Sequence, residues 1–383
     1  MLVIKRCLKH FIMFLYYHTH KVRNKAVFES FSGSSYSDNP RAISEKLHEM
    51  APDVEIVWLF TKPDTKREIV PEYVRVEQRC TKNMIRELST AKIWVNNFCM
   101  HDFIYKGKRN TYIQTWHGDR PFKKVIYESN KLHFKDGEVR ENEICDLCVA
   151  GSDIGVHVYH EAFRYHGEIL CVGSPRADVL INGDRMRCFA TKEKLGIPCD
   201  TKVVMYAPTF RDNKGLNASQ SLDVLDFDNL IETLENVKSE KWVCVIRVHP
   251  SLRIKDISAL GNKVVNASAY EDMSDLMLIA DMLITDYSSS AGDFVLQNKP
   301  VFLYQYDLDE YEKEDRELHF KMCDSPFWSV RTQNELLDGI RAMTEEGICK
   351  NCADILKFYG TKETGRASEE VCKYAIKRIK GER

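Results

Sequence analysis

Three consecutive serines late in the chain are the residues best suited to binding phosphate. The apolar stretch Met282–Thr285 has the length of a buried strand, and it runs into Ser288, Ser289 and Ser290. A helix N-terminus presents free N–H groups and about half a positive charge. If a helix opens at these serines, the pattern predicts an anion site for a phosphate or a diphosphate. The alternative is that the serines only cap the helix.

A histidine that directly follows an apolar stretch is a candidate for proton transfer. Thr111–Trp116 is predicted to be a strand, and His117 and Gly118 come immediately after it. An imidazole has an unperturbed pKa of about 6.5 and can accept a proton near neutral pH. The glycine would let backbone approach a ligand closely. The alternative is a structural histidine that is bonded to a loop carbonyl.

A cation and a second imidazole end another predicted strand. Because side chains alternate along a strand, Arg247 and His249 share one face at the end of Trp242–Val248. A guanidinium beside an imidazole is suited to a pyrophosphate. The strand Val203–Tyr206 is followed by Pro208 and Thr209. The sequence predicts that Thr209 and the nearby Arg211 point into the mouth of a cleft.

A turn rich in glycine and proline carries one more candidate cation. Arg176 follows Gly173 and Pro175 at the end of a predicted strand. Its guanidinium could bind phosphate through two parallel hydrogen bonds. The alternative is an ion pair with Asp178.

Several other chemistries are disfavoured by the sequence. It contains no G-x-G-x-x-G, Walker A or G-x-S-x-G pattern, which argues against NAD enzymes and P-loop NTPases and gives no sign of a hydrolase nucleophile elbow. The pairs Cys145/Cys148 and Cys349/Cys352 have zinc-ligand spacing. However, the first pair flanks an apolar strand, and cysteine is a common core residue. We therefore predict no metal site.

Composition limits the class of protein. The 383 residues carry 55 Lys+Arg and 57 Asp+Glu, a formal net charge of -2, and so no bulk polycation that would bind nucleic acid. The length predicts roughly two or three domains. The 13 cysteines are odd in number and follow no secretory signal, so reduced thiols are expected. No run of about 18 uncharged apolar residues is present, so no membrane-spanning helix is predicted.

The first 24 residues are predicted to form a basic amphipathic helix. No acidic residue precedes Glu29, whereas Lys5, Arg6 and Lys9 are among the basic residues of the segment, and apolar residues recur at helical spacing. Such a helix suits the surface of an anionic membrane. The alternative is a helix docked on the protein's own core with its charges in water.

Two series of apolar strands alternate with helical segments, which predicts two doubly wound parallel sheets. The series divide near residue 195, giving domains over 25–195 and 196–383, with a last helix (Glu369–Lys380) that could cross back onto the first. The further predicted strands are Lys25–Phe31, Val54–Phe60, Lys92–Asn96, Leu147–Ala150, Ile169–Val172, Val264–Val265 and Val301–Tyr304. Ligands of such sheets bind at the carboxyl ends of the strands, so a cleft between the domains is the expected site.

Taken together, these motifs resemble one family along about residues 25–380. That family is the CDP-glycerol:poly(glycerophosphate) glycerophosphotransferases, which make teichoic acid and similar capsule polymers. The motifs that carry the resemblance are Ser37–Pro40, Trp116–Gly118, Gly173–Arg176, Ala207–Phe210, Arg247–Pro250, Thr285–Ser289, Asp293–Phe294, Lys299–Pro300, Tyr306–Leu308 and Tyr311.

The resemblance implies a fold, a reaction and a set of roles. It implies two Rossmann-like domains in the GT-B arrangement and transfer of a polyol phosphate from CDP-glycerol or CDP-ribitol to a lipid-linked or polymeric glycan, with CMP released. It implies a peripheral enzyme on the cytoplasmic face of the membrane, without a cofactor other than the donor substrate. His117 is implied as catalytic base and His249 as the second essential imidazole. Donor contacts are implied for Trp116, Gly118, Arg176, Pro208, Thr209, Arg247, Ser288, Ser289 and Asp293.

One departure and two alternatives accompany this interpretation. Where the family usually reads W-H-G-T-P, this chain has Asp119 and Arg120 before Pro121, beside the expected base. A GT-B glycosyltransferase that uses a nucleotide sugar would share the architecture. A membrane-bound scaffold that binds nucleotide without turnover is the non-catalytic alternative, and the presence of both histidines argues against it.

Overall fold

The computed structural model of the chain describes residues 2–135, 138–209, 211, 220–248, 260–314 and 316–382, without the side chains of 2–5, 220–221 and 314. The chain forms two compact units. The first contains residues 1–119, 125–178 and 362–383, and the second contains residues 120–124 and 179–361. Each unit is built on one parallel sheet, so the predicted α/β class with two parallel sheets is confirmed.

The first sheet runs in the order β3-β2-β1-β4-β5-β6-β7. All of its neighbouring strands are parallel, and its central strands are buried on both faces, as their apolar runs require. The strands are β1 (Arg23–Glu29), β2 (Glu55–Phe60), β3 (Val74–Gln78), β4 (Ala91–Asn96), β5 (Thr111–Gln114), β6 (Leu147–Ala150) and β7 (Glu168–Cys171).

Helices cover this sheet, and one of them comes from the far end of the chain. The helices are α1 (Leu2–Thr19), α2 (Asp38–Met50), α3 (Lys82–Thr90), α4 (Glu141–Ile144), α5 (Asp153–Glu161) and α15 (Ala367–Lys380). Helix α15 packs on α2, where Val371 and Cys372 share a core with Ile43. The carboxylate of Asp178 caps α15 by accepting from the N–H groups of Ala367 (2.9 Å) and Ser368 (2.8 Å).

Helix α1 is docked on the first unit and also leaves an apolar stripe in solvent. Met13 is fully buried in the core against α3, and Tyr17 is nearly so. Leu8, Phe11 and Leu15, which follow one another at i, i+3 and i+7, are 56, 55 and 42% exposed. Among the residues that the structure describes, no helix combines the length and the apolar character needed to cross a bilayer.

The second sheet runs in the order β10-β9-β8-β11-β12-β13, again with parallel neighbours. Its strands are β8 (Lys202–Tyr206), β9 (Trp242–Ile246), β10 (Val264–Asn266), β11 (Met282–Thr285), β12 (Val301–Tyr304) and β13 (Trp328–Val330). Its helices are α6 (Asp178–Asn182), at whose start the chain enters this unit, α7 (Arg185–Lys194), α8 (Gln220–Asp223), α9 (Phe227–Lys238), α10 (Met273–Ile279), α11 (Ser290–Phe294), α12 (Leu308–Glu314), α13 (Gln333–Ala342) and α14 (Glu345–Tyr359).

The chain enters the second unit earlier than the boundary predicted at residue 195. The reason lies in helix α7, which packs on α10. Arg187 of α7 forms ion pairs with Asp275 and with Asp272. These contacts are distant in sequence, so they leave no mark in the local pattern on which the predicted boundary rested.

Both sheets have a point at which the order of the strands reverses. In the first sheet it lies between β1 and β4, and in the second between β8 and β11. Ligands of open α/β sheets bind outside the carboxyl ends of the strands at such a point. The residues that directly follow these strands therefore form the candidate site of each unit.

Candidate active site

His117 lies in the first unit, just beyond the carboxyl end of β5. Its Nδ1 is 2.7 Å from the backbone oxygen of Asn97, which follows the neighbouring strand β4. A carbonyl oxygen can only accept a hydrogen bond, so Nδ1 carries the proton and Nε2 keeps its lone pair. The contact with a loop carbonyl, which the sequence offered as the structural alternative, thus also sets the tautomer that a general base needs.

Aromatic rings surround the imidazole of His117. The ring centroids of Trp116, Phe31 and Phe98 lie 4.0, 5.2 and 5.6 Å from its own. Burial lowers the pKa of His117 below its usual 6.5, although the hydrogen bond with Asn97 and the carboxylate of Asp38 act in the opposite direction. The side chain is therefore neutral at pH 7 and able to accept a proton.

Asn39 holds the backbone that presents His117. Its amide nitrogen donates to the carbonyls of Trp116 (3.0 Å) and Thr115 (3.3 Å), and its side-chain oxygen accepts from the N–H of Arg176 (3.0 Å). Trp116 has a φ of 48°, in the left-handed region that a bulky residue rarely adopts. One buried amide therefore fixes both the strained turn before His117 and the loop that carries Arg176.

Arg176 pairs with a different carboxylate from the one that the sequence suggested. Its guanidinium is 3.4 Å from the carboxylate of Asp38, at the start of α2. Asp178 instead caps α15. Arg176 is buried, and its charge, like that of Asp38, acts on the pKa of His117. The side chain that the sequence predicts to bind phosphate therefore lies near the imidazole.

The two residues by which this chain departs from the family pattern both have structural partners. In the first unit, Asp119 follows the half-buried Gly118, and its carboxylate accepts from the N–H of Gly151 (2.7 Å). Arg120 belongs to the second unit, where it is fully buried and donates to Asp293. A side chain at position 292 would come within 2.6 Å of the Cβ of Arg120, so the guanidinium stem packs directly on Gly292.

The serine turn of the second unit follows β11 but opens only a short helix. Helix α11 has five residues and continues into a 3₁₀ turn (Val295–Gln297). The hydroxyl oxygen of Ser288 accepts from Ser290, whereas the side chain of Ser289 makes no capping hydrogen bond. The N–H groups of residues 291–293 bond to the carbonyls of Ser288 and Ser289. For anion binding this arrangement offers hydroxyl groups rather than a long helix dipole.

Pro208 and Thr209 follow the central strand β8 of the same sheet. The N–H of Thr209 donates to both carboxylate oxygens of Asp286 (2.9 and 3.0 Å), which comes directly after β11. The hydroxyl of Thr209 is buried and has no hydrogen-bond partner within the part of the chain that the structure describes. Such a group is costly unless a ligand or a water satisfies it.

Arg211 does not point into a cleft mouth as the sequence predicted. Its guanidinium is buried between the carboxylates of Asp286 (2.8 Å) and Asp307 (2.7 Å). The cation is thus used to neutralise two carboxylates of its own unit, because each of these groups would otherwise be a buried, uncompensated charge.

Arg247, in contrast to Arg211, keeps a donor group that has no partner among the described residues. It follows β9, next to β8, and its N–H donates to the carbonyl of Tyr206 (2.9 Å). Its Nη1 atom is buried and has no partner in the described ranges. Burial lowers the pKa of Arg247, although the carboxylates of Asp272 and Asp275 counteract it. A half-buried guanidinium with a buried, open Nη1 donor is suited to a bound anion.

The second unit therefore brings most of its predicted residues to one edge of the sheet. Thr209, Arg247 and the Ser288–Ser289 turn follow the adjacent strands β8, β9 and β11 at the point of reversal. Asp293 is buried and bound by Arg120. His249 lies outside the described residues.

Sequence reasoning missed two residues that position the imidazole, Asn39 and Asn97. The amide of Asn97 accepts from the N–H of Phe31 (2.8 Å) and donates to the hydroxyl of Ser30 (3.2 Å), which fixes the carbonyl that His117 contacts. Both asparagines had a signal. Asn39 stands in the family motif Ser37–Pro40, and Asn97 follows a predicted strand directly.

Asn39→Ala is expected to lower kcat/KM by roughly tenfold to a hundredfold, because a small misplacement of a catalytic group is costly. It should also lower the free energy of unfolding by about 1–3 kcal/mol. Asn110→Ala is the matched control, since Asn110 is equally buried and donates to the carbonyl of Ala91 (2.7 Å) on the same sheet. Steady-state kinetics and denaturant unfolding of both variants test this. Equal losses of activity would contradict a positioning role for Asn39.

Comparisons with known proteins find one family and several relatives. Residues 11–377 match the family CDP-glycerol:poly(glycerophosphate) glycerophosphotransferase. The teichoic acid glycerol-phosphate transferase of Staphylococcus aureus is 33% identical over 98% of this chain and 99% of its own length. The teichoic acid poly(glycerol phosphate) polymerase of Staphylococcus epidermidis is 34% identical over 75% of this chain, but the match spans only 41% of that longer protein.

A solved structure extends the similarity to the fold. The wall teichoic acid polymerase TagF superposes with a TM-score of 0.83 at 28% identity, covering 99% of this chain and 95% of that chain. Another solved structure of TagF was obtained after a soak with CDPG. With a family match across almost the whole chain and a full-length relative above 30% identity, this protein belongs to the CDP-glycerol:poly(glycerophosphate) glycerophosphotransferase family.

Proposed function

We propose that the protein transfers glycerol phosphate from CDP-glycerol to a hydroxyl group of a lipid-linked or polymeric glycan in teichoic acid synthesis, with release of CMP. The observation that carries the proposal is the orientation of His117. Its Nδ1–H is held by the Asn97 carbonyl at 2.7 Å, so Nε2 is the basic nitrogen. The imidazole lies beyond the carboxyl end of β5, the side of an open α/β sheet on which ligands generally bind. Glycerol is favoured as the polyol because the full-length relative is named for glycerol phosphate.

The transfer requires one proton acceptor and no covalent intermediate. In the proposed step, Nε2 of His117 takes the proton of the acceptor hydroxyl. The acceptor oxygen bonds to the phosphorus that bears the glycerol, the bond from this phosphorus to the bridging oxygen breaks, and CMP leaves with the electron pair. Such reactions depend mainly on positioning and on stabilisation of charge. His249 is proposed as the second imidazole on the basis of the family resemblance.

The donor diphosphate is proposed to bind in the second unit. Arg247 supplies a half-buried positive charge whose buried Nη1 has an open N–H donor, and Thr209 supplies a hydroxyl without a partner among the described residues. Ser288 and Ser289 add hydroxyl groups from the neighbouring strand end. Asp293 is proposed to support this donor site indirectly. Its ion pair with Arg120 holds helix α11, which directly follows the serine turn. In the first unit, Arg176 is proposed to act beside His117, together with the ring of Trp116 and the backbone at Gly118.

We further propose the GT-B arrangement of the two units and a peripheral location on the cytoplasmic face of the membrane. The reversed strand order in both sheets supports the first proposal. The exposed stripe of Leu8, Phe11 and Leu15 on α1 supports the second, because a membrane surface would accept these apolar side chains.

A donor panel tests the reaction. CDP-glycerol, CDP-ribitol and UDP-sugars are each incubated with a lipid-linked acceptor, and released CMP or UDP is measured. We expect release of CMP from CDP-glycerol that depends on the acceptor. Release of UDP from a sugar nucleotide would show a glycosyltransferase instead, and nucleotide binding without release from any donor would show a non-catalytic scaffold.

A further inference from the structure

A pocket lies at the amino-terminal ends of the strands of the first sheet, opposite the strand ends near His117. Its volume is about 410 Å³, and it is lined by the residues after α1, by the starts of β1, β2 and β3, and by the second half of α3. Most of its charged side chains are cations: Lys21, Arg23, Lys25, Arg75 and Arg86 face the carboxylates of Glu55 and Glu87. Its electrostatic character is therefore that of an anion site.

The floor of the pocket is a rigid, buried ion cluster. Lys25 is 2% exposed and donates to Glu87 (2.5 Å) and to the hydroxyl of Thr90 (2.7 Å). Glu87 also pairs with Arg75 (2.6 Å) and Arg86 (3.0 Å). Burial alone would raise the pKa of Glu87, but the hydrogen bonds from Arg75 and Lys25 lower it to about 2. Arg75 also pairs with Glu55 (2.8 Å) and with Glu77, so the three cations of the floor face three carboxylates. The excess positive charge of the pocket comes from Lys21 and Arg23.

The mouth of the pocket holds two cations that have no partner in the part of the chain that the structure describes. Lys21 and Arg23 are exposed, and within the described ranges neither side chain forms a hydrogen bond or an ion pair. A guanidinium presents parallel N–H donors that match phosphate oxygens, and an ammonium adds a point charge. The two side chains are suited to a group that carries one or two negative charges.

The pocket is separate from the candidate active site. Strand β1 begins with Arg23 at the pocket and ends at Glu29, which pairs with Asn96, the neighbour of the His117 partner Asn97. Six residues of strand span roughly 20 Å at about 3.3 Å per residue. A ligand bound in this pocket would therefore not contact His117.

We propose that this pocket binds the phosphate of a glycerol phosphate ester, either the headgroup of an anionic lipid or a soluble ester. The side chains of Lys21 and Arg23 bind the phosphate. The buried ion pair of Lys25 and Glu87 keeps the residues that line the pocket in position. The pocket directly follows α1, whose exposed apolar stripe ends at Leu15, about 6 Å of helix rise before the helix ends at Thr19. This inference concerns binding only and does not depend on the proposed transfer reaction.

The double variant Lys21→Gln/Arg23→Gln tests the proposal, because both side chains are exposed and neither supports the core. Lys62→Gln/Lys108→Gln is the matched control, since it removes the same charge from exposed residues of the same unit. Sedimentation with phosphatidylcholine vesicles, with and without phosphatidylglycerol, measures binding to lipid. Calorimetry with glycerophosphoglycerol measures binding to the soluble ester.

We expect the pocket variant to bind at least one of these phosphate probes about tenfold more weakly than the control does. A loss confined to phosphatidylglycerol vesicles identifies a lipid headgroup, and a loss confined to glycerophosphoglycerol identifies a soluble ester. Weaker binding of both probes identifies a site that recognises the glycerol phosphate ester whether or not it belongs to a lipid. Equal binding of all probes by the two double variants would overturn the proposal. Transfer from CDP-glycerol to a soluble acceptor should be the same in both.

Discussion

Replacing His117 by alanine is expected to slow glycerol-phosphate transfer by roughly 10²–10⁴-fold. The reason is the loss of the basic Nε2 that the Asn97 carbonyl sets by fixing the proton on Nδ1. The groups proposed to bind the donor diphosphate follow β8, β9 and β11 of the other sheet, so the affinity for CMP should be nearly unchanged. Acceptor-dependent release of CMP and calorimetric titration with CMP measure the two quantities.

His160 provides the matched control. Its Nδ1 is 2.8 Å from the carbonyl of Tyr165, so it makes the same kind of contact with a loop carbonyl outside the candidate site. His160→Ala should keep near-normal kcat. If His117→Ala keeps it as well, the base has been misassigned, and the carbonyl contact of His117 is purely structural.

The pH profile gives an independent readout of the same assignment. Burial lowers the pKa of His117 below 6.5, and the imidazole must be neutral to accept a proton. The acid limb of kcat/KM should therefore lie below pH 6.5, with activity lost as His117 becomes protonated. The residual activity of His117→Gln should lack this limb. A wild-type limb clearly above pH 6.5 would contradict the assignment.

The sequence predicted the central strands of both sheets and missed one edge strand of each. Central strands such as Glu55–Phe60 are buried on both faces and read as uninterrupted apolar runs. The missed strands, Val74–Gln78 and Trp328–Val330, lie at sheet edges, and their residues alternate in burial or remain half exposed. An edge strand needs an apolar face on one side only, so its pattern is short and weak.

Polar residues at strand ends were also predictable, because a parallel sheet places all carboxyl ends on one edge. Their partners were not. Arg176 finds Asp38 across 138 residues of sequence, and Arg120 finds Asp293 across 173. Nothing local distinguishes a cation that will be neutralised inside its own unit from one that stays available. Arg211 is neutralised by carboxylates of its own unit, whereas Arg247 keeps an open donor. Both residues nevertheless lie near the end of a predicted strand.

The N-terminal helix is a second case in which the sequence pattern does not show which residues will find a partner in the fold. Its spacing predicted an amphipathic helix, with membrane contact and docking on the core as alternatives. The structure shows that α1 buries Met13 in the first unit and leaves Leu8 and Phe11 exposed. Docking uses one face and leaves the other available, so the two alternatives do not exclude each other. A periodic pattern marks the apolar positions of a helix without indicating which of them the rest of the chain will cover.

Arg247→Met is expected to weaken donor binding by roughly tenfold to a hundredfold without lowering the stability of the fold. A hydrogen bond to a charged group contributes about 1.5–3 kcal/mol, which sets the expected loss of affinity. The guanidinium of Arg247 has a buried Nη1 that no described residue satisfies, so its removal relieves a desolvated charge. The free energy of unfolding should stay the same or rise, whereas the Kd for CMP should increase.

Arg211→Met makes the contrast that isolates this role. Arg211 is also buried at a strand end of the second unit, but it neutralises Asp286 and Asp307. Its replacement leaves two buried carboxylates without their cation and should lower the free energy of unfolding by roughly 3–5 kcal/mol. Denaturant unfolding and calorimetry with CMP compare the two variants. If Arg247→Met is destabilised as much as Arg211→Met and still binds CMP normally, then Arg247 is a structural cation, and the donor site must lie elsewhere in the second unit.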